Sequence, residues 1–279
     1  MESINQQMAL YAGGTFEFKG LWTIDSKGKG HTLQETLDET ITKHIPAKDK
    51  FGIGFPRGGA WPKCAVVGNS NTNLYFRNGD EIDQYHAVFR MNNAPTAHFE
   101  GLVGHFTTVR VVEDKFHLQA RDQSSKTMVL QIVNRRETLK QYMEFKESNK
   151  GHNLEMLSPG FLRYFTQYMK QFPPIGFITV VLAYQKCKQV DVFGFGEADK
   201  EAELYWEARS NQFGVAKEKS NSTDGDTIME TALVESLQKY SGGTVRMMNP
   251  CVTIKEQYGN CNNCSAIPLA EGGRCSSRK

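Results

Sequence analysis

Cys64-Ala65-Val66-Val67-Gly68-Asn69-Ser70 is the stretch on which the reading of this chain turns. Four apolar residues bounded by a tight turn fit a strand buried on both faces, the kind that parallel sheets use. The turn then presents Asn69 and Ser70 at the carboxyl edge of the sheet, where open α/β sheets bind their ligands. A Gly-Asn-Ser turn is also an ordinary Asx-type turn, so the segments around it must decide. Short apolar runs recur at residues 87–91, 107–112, 128–133 and 190–195. Patterns of helical period occupy 135–146, 159–172 and 176–187, and a last helix at about 226–240 precedes a strand-like 244–248. Strands alternating with helices predict a single α/β domain: a mostly parallel, twisted sheet flanked by helices.

Upstream, residues 8–25 mix Gly13, Gly14 and Gly20 with Phe16, Phe18, Leu21, Trp22 and Ile24, which reads as a strand pair or an extended arm. Thr32 is expected to cap a helix that carries Leu33, Leu37 and Ile41 on one face, with Glu35, Asp38 and Glu39 towards its positive end. Residues 51–62 are rich in Gly and Pro and predict a loop. The chain therefore divides into an arm and helix packing on the core (1–60), the α/β domain (61–249) and a Cys-rich tail (250–279).

Composition narrows the function classes. The 279 residues are 39% hydrophobic and 23% charged, a globular profile that excludes disorder, collagen and coiled coil as the main architecture. Lys plus Arg is 33 against 31 for Asp plus Glu, and a net of +2 creates no field to gather nucleic acid or an anionic membrane. No run approaches the ~20 apolar residues that cross a bilayer, and residues 1–10 lack a signal peptide's pattern. The chain as given reads as soluble, with membrane attachment only through an anchor outside it.

After Ser70 come Glu81-Ile82-Asp83, the block from Ala87 through Arg90-Met91-Asn92-Asn93-Ala94-Pro95-Thr96, then Val103-Gly104 and Thr107-Thr108. This series resembles the large sialylmotif of the eukaryotic sialyltransferases, glycosyltransferase family 29. Gly176-Phe177-Ile178-Thr179-Val180-Val181-Leu182-Ala183, followed by Cys187 and Val190-Asp191-Val192-Phe193-Gly194-Phe195-Gly196, resembles that family's small motif. The resemblance runs from about Cys64 to Tyr240. It implies a variant of the GT-A fold that transfers a sialic acid from a CMP donor to a glycan hydroxyl with inversion, without a cofactor or a bound metal. The acceptor it implies is a glycan on a glycoprotein, glycolipid or polysaccharide. Asn69 and Asn92 fall on donor contacts, and an amide offers both donors and an acceptor to a nucleotide without adding charge. Ser70, Gly176 and Tyr205 complete the expected donor set. Cys64 and Cys187 fall on the positions the family joins in a disulfide, and with it comes the expectation of the Golgi lumen or secretory pathway.

The match breaks where the chemistry would be done. The family takes the acceptor proton on a histidine upstream of a glutamate near the last helix. Glu230 fits the glutamate, but Gly225 stands five residues before it, and Leu204 stands in the histidine place before Tyr205. Pro173-Pro174-Ile175-Gly176 replaces Pro-Ser-Thr-Gly, losing two hydroxyls, while Asn71 and Thr72 replace a Gly and an Asn, with Asn73 adjacent. Three readings stay open. Asp224, Asp226 or Glu230 supplies the base, although Ser222-Thr223-Asp224-Gly225-Asp226 is equally a turn and helix start with acids against the dipole. Asp224-Gly225-Asp226 is formally a metal-holding Asp-x-Asp, disfavoured by its polar approach and by the single phosphate of a CMP-sugar. Or the fold binds a nucleotide, glycan or protein partner without turnover. The transferase is preferred, and its donor is a sialic acid or a related keto-acid sugar such as Kdo.

Smaller signals are weaker. Cys251, Cys261, Cys264 and Cys275 fit two tail disulfides better than a zinc site, with the pairing open. Asn221-Ser222-Thr223 and Asn263-Cys264-Ser265 are glycosylation sequons. Tyr164, Phe165, Tyr168 and Phe172 read as the core face of a helix rather than an aromatic wall for a sugar. His86, His98 and His105 flank the large motif and are expected at the surface.

Overall fold

Cys64–Val67 is a strand whose four residues are all buried, and the other apolar runs follow it into one sheet. The computed structural model describes residues 21–24, 30–33, 43, 45, 60–113, 126–149, 151–169, 171–196, 204–207 and 224–248. Two short strands, β1 (Leu21–Ile24) and β2 (Gly30–Leu33), pair antiparallel with Leu21 opposite Leu33. The main sheet contains β3 (Cys64–Val67), β4 (Ala87–Met91), β5 (Val109–Glu113), β6 (Met128–Ile132), β7 (Asn153–Met156), β8 (Val190–Phe193) and β9 (Val245–Met247). Their order is β7-β6-β5-β4-β3-β8-β9, and every neighbouring pair is parallel.

The helices are α1 (Gly79–Ile82), α2 (Glu100–Val103), α3 (Arg136–Ser148), α4 (Pro159–Met169), α5 (Ile175–Lys186) and α6 (Asp224–Tyr240). Alternate residues of each strand feed two different layers, as the period of two requires. Val66, Phe89, Val111 and Leu130 meet α4, α5 and α6 through Phe161, Leu182 and Val234. On the other face Val67, Val88 and Phe193 meet Ile82, Val103 and Tyr205, and farther along Val112 and Val129 meet Leu139 and Tyr142 of α3. Ile178, Val180, Val181, Leu182 and Ala183 of α5 are all buried, so this helix is interior all round rather than amphipathic.

Several expectations need correcting. Thr32 does not cap a helix: it lies inside β2, opposite Trp22. Residues 34–42 and the tail from 249 lie outside the described residues, and so do their expected elements, sequons and cysteines. Strand β7 has no apolar run to announce it, because Asn153-Leu154-Glu155-Met156 is an edge strand that carries a buried Glu155 in an ion pair with Lys146 at 3.1 Å. The short helices α1 and α2 were not foreseen. Helix α4 is described to Met169, so Phe172 lies beyond it; Phe165 packs edge-on between Phe161 and Phe177, as a core face does. Side chains of Tyr164 and Tyr168 lie outside the described residues.

Cys64 and Cys187 form a disulfide with Cα atoms 6.1 Å apart and a sequence separation of 123. It ties the start of β3 to the end of α5, and the entropic model assigns a closure of that length about 4 to 5 kcal/mol. Next to it, Asp191 of β8 is wholly buried and gathers Arg246 in two bonds of 2.7 Å, Tyr85 Oη at 2.6 Å, Gln189 at 3.2 Å and Lys63 at 3.3 Å. Burial opposes ionisation of this carboxyl, but the hydrogen bonds from Arg246, Tyr85 and Gln189 outweigh it and hold Asp191 below the ordinary carboxylate range.

A group with a depressed folded-state pKa contributes fully above its unfolded value, about 3.9, and loses that contribution as pH falls through the lower folded value. Asp191→Asn is therefore expected to cost about 3 kcal/mol near neutral pH. Urea unfolding at a series of pH values should also show a shallower acid-side loss below about pH 4 than the wild type. Parallel acid limbs would rule out the depressed carboxyl.

Candidate functional site

The order β7-β6-β5-β4-β3-β8-β9 reverses direction between β3 and β8, which makes their carboxyl ends the switch point where such sheets bind ligands. These ends approach too closely for side chains. A Cβ on Gly68 would stand 2.2 Å from Gly194 O, and one on Gly194 would stand 2.1 Å from Asn73 Nδ2, where the backbone already has φ of 67°. Only glycine suits either position. Gly68 N–H donates to Phe193 O at 2.7 Å and Ser70 N–H to Gly194 O at 3.2 Å, while buried Asn73 donates Nδ2–H to Gly68 O at 2.8 Å and Ser70 O at 3.2 Å.

Parallel register brings the two asparagines together. Val67 pairs with Arg90, and Asn69 and Asn92 each lie two residues beyond that pair. The carbonyl of Asn69 accepts the Tyr205 N–H at 3.1 Å, but its Oδ1 is buried with no hydrogen-bond partner among the described residues. A buried acceptor left empty costs about 1 to 3 kcal/mol, which a ligand hydroxyl or amine would relieve. Asn92 sits at φ 44°, a left-handed turn that Asn tolerates. Its Oδ1 accepts Glu113 N–H at 3.0 Å, which leaves Nδ2 as the group for a ligand.

The other expected residues are differently employed. Ser70 Oγ donates to Gly196 O and accepts Thr72 N–H at 3.1 Å, capping the 3₁₀ turn Asn71–Tyr75, so this hydroxyl is spent on the loop. Tyr205 is wholly buried, with its hydroxyl on Pro95 O. Leu204 forms an antiparallel bridge with Ser70 and donates its N–H to Glu207 Oε2 at 3.2 Å. His86, His98 and His105 are exposed, and His105 Nδ1 pairs with Asp83 at 2.7 Å.

Helix α5 ends its path across the sheet just before β8, so its N-terminus lies at the carboxyl edge. Pro174 at its N-cap supplies no side-chain bond, and the cap comes from a distant helix instead: Gly176 N–H donates to Glu230 Oε1 at 2.6 Å. A Cβ on Gly176 would stand 2.3 Å from that same oxygen. Glu230 thus caps the N-terminal end of α5. Asp224 and Asp226 open α6 in the backbone, and their side chains lie outside the described residues.

Three participants were missed in the sequence. Arg110 is completely buried and donates Nη1–H to Asn92 O at 2.8 Å and Ala94 O at 3.2 Å, holding the Asn92 turn. Arg90, equally buried, holds Val103 O at 2.7 Å and Phe106 O at 3.0 Å. The available signal was an arginine inside each apolar run, since an arginine in a buried strand must find several acceptors. Asn73 is the third, and only the fold gives it a role.

Glu230→Gln keeps an acceptor for Gly176 but removes the charge, and is expected to cost about 0.3 to 1 kcal/mol. Gly176→Ala should cost more, about 1 to 3 kcal/mol, because the methyl must displace the carboxylate. Denaturant unfolding of both variants checks the order, and equal effects would exclude the cap.

Comparisons with known proteins agree with this geometry. A family profile described as Glycosyltransferase family 29 (sialyltransferase) matches residues 18–241. A human protein named CMP-N-acetylneuraminate-beta-galactosamide-alpha-2,3-sialyltransferase 1 is 30% identical over 259 residues, 85% of this chain and 73% of that one. The mouse protein named as the second enzyme of that series is 28% identical over 232 residues, 76% of this chain and 64% of its own length. A crystal structure of a mammalian sialyltransferase superposes with a TM-score of 0.63 at 21% identity, over 88% of this chain and 90% of that one, a likeness of fold. A second, of a mammalian sialyltransferase in complex with Gal-beta-1-3GalNAc-ortho-nitrophenol, gives 0.54 at 21% identity over 77% and 81%. The chain that builds this parallel sheet and its paired asparagines belongs to glycosyltransferase family 29, the sialyltransferases.

Proposed function

We propose that this glycosyltransferase moves a sialic acid, or a related keto-acid sugar such as Kdo, from a CMP donor to a glycan hydroxyl with inversion. The observation that carries the reading is the buried Asn69 Oδ1, without a hydrogen-bond partner among the described residues, at the end of the strand that pairs with the one leading to Asn92. Together they offer one acceptor and one amide donor, the complement of a ribose or cytosine edge. The relatives' names support CMP-N-acetylneuraminate as donor and a β-galactosamide as acceptor. We extend both to this chain.

In the reaction the acceptor oxygen attacks the anomeric carbon as its bond to phosphate breaks, and CMP leaves with the bonding electrons. The hydroxyl proton passes to a base. With Glu230 engaged at the Gly176 N–H, the carboxylates proposed for that proton are Asp226 and Asp224 at the start of α6. A CMP-sugar brings a single phosphate, so the leaving group needs less neutralisation than a diphosphate, and no metal is invoked. The disulfide Cys64–Cys187 supports an oxidising compartment, for which we propose the Golgi lumen or another station of the secretory pathway. Any membrane anchor would be supplied outside these residues.

A second reading has its own observation. Leu204 lies against the Ser70 turn where the resemblance places a histidine, and Gly225 takes the place of the other. A protein that binds the donor without turnover would have this pair of losses.

Calorimetric titration with CMP, with UMP as control and EDTA present, separates the cases. Tighter binding of CMP, lost about tenfold or more in Asn92→Ala, supports the donor site. Turnover with CMP-sialic acid or CMP-Kdo over β-galactosamide acceptors that disappears in the Asp224→Asn, Asp226→Asn double variant supports the carboxylate base. Full turnover by that variant excludes it, and CMP binding with no turnover selects the second reading.

A further inference from the structure

Tyr205 touches both asparagine-bearing turns while remaining out of the crevice. Its N–H donates to Asn69 O at 3.1 Å, and the bridge between Leu204 and Ser70 fixes the same turn one residue along. Its ring meets Phe99 edge-on at 5.1 Å, and its hydroxyl donates to Pro95 O, three residues beyond Asn92. The side chain is 0% exposed, so the hydroxyl has no path to a ligand and no proton to exchange with one. Arg110 grips the same Asn92–Pro95 turn from the other side, through Asn92 O and Ala94 O. The turn is therefore clamped between a buried guanidinium and a buried phenol.

Two amides recognise one rigid nucleotide only if their separation is held to a fraction of an ångström. Strand pairing sets that spacing as far as Val67 and Arg90, but Asn69 and Asn92 stand beyond the last paired residues. Past that point Tyr205 contacts both turns, through Asn69 O and Pro95 O.

We propose that Tyr205 is a positioning residue: it sets the distance between Asn69 and Asn92 so that both amides engage the same CMP. The inference rests on the donor site proposed above. It treats the 204–207 strap as part of the donor site's scaffold, with the side chain of Tyr205 acting through the two asparagines.

Tyr205→Phe keeps the ring and its packing and removes only the hydroxyl. The dissociation constant for CMP is expected to rise about three- to tenfold, as for one lost hydrogen bond. Because that loss runs through Asn92, Asn92→Ala should weaken binding less in the Tyr205→Phe background than in the wild type. A lowered Tm with an unchanged CMP constant, or with fully additive losses, would overturn the proposal. Amide hydrogen exchange without ligand supplies an independent reading, since Ala94 N–H bonds to Met91 O at 3.3 Å and Phe99 N–H to Thr96 O at 2.8 Å. Both amides should exchange faster in Tyr205→Phe. Should the wild type fail to bind CMP, the donor reading falls. Faster exchange would still support the brace, and unchanged protection would overturn it.

Discussion

The close approach of β3 and β8 governs the rest of the molecule. With no Cβ at Gly68 or Gly194, the backbones meet across a gap that any side chain would open, and Asn73 packs against Gly194 while bonding Gly68 O and Ser70 O of the turn after β3. That contact joins the ends of β3 and β8, the pair at which the strand order reverses. A reversal in a parallel sheet leaves a crevice at the carboxyl edge. Asn69, Asn92 and the start of α5 border it because each follows from the same choice of neighbours.

Around that crevice, charge is used mostly for holding. Two arginines lie wholly inside the sheet and grip carbonyl oxygens of the turns, and a buried aspartate on β8 gathers Arg246, Tyr85, Gln189 and Lys63. Glu230 belongs to the same class, since it neutralises the start of α5 in place of the hydroxyls that Pro174 and Ile175 do not have. Buried charges are costly unless every bond is made, so such groups define geometry more than they add stability. The proposed nucleotide site depends on that definition, because short neutral amides have little reach.

Much of the fold was legible from periodicity. The runs at 64–68, 87–91, 107–112, 128–133 and 190–195 became strands because strands buried on both faces are nearly continuously apolar, a pattern that survives without any partner in view. Strand β7 escaped because an edge position allows polar residues, with Glu155 satisfied by Lys146. Thr32 misled because Ser, Thr, Asp and Asn before an apolar period signal a helix start, yet strand pairing with Trp22 outweighed that local preference. Of the site, Asn69 and Asn92 were visible at strand ends, whereas the roles of Ser70, Tyr205 and Glu230 depended on partners 126, 110 and 54 residues away.

The sequence by itself determined the alternation of elements, the two asparagines at strand ends, and the motifs that carry the family. These are local properties: a strand's burial and a turn's residues are written in consecutive positions. Tertiary structure decided which hydroxyls and carboxylates are free and which are consumed. The fold supplies Gly196 and Pro95 as acceptors for Ser70 and Tyr205, and the Gly176 N–H at 2.6 Å as a partner for Glu230. A polar group's role is set by what it meets when water is removed, and those partners come from distant parts of the chain.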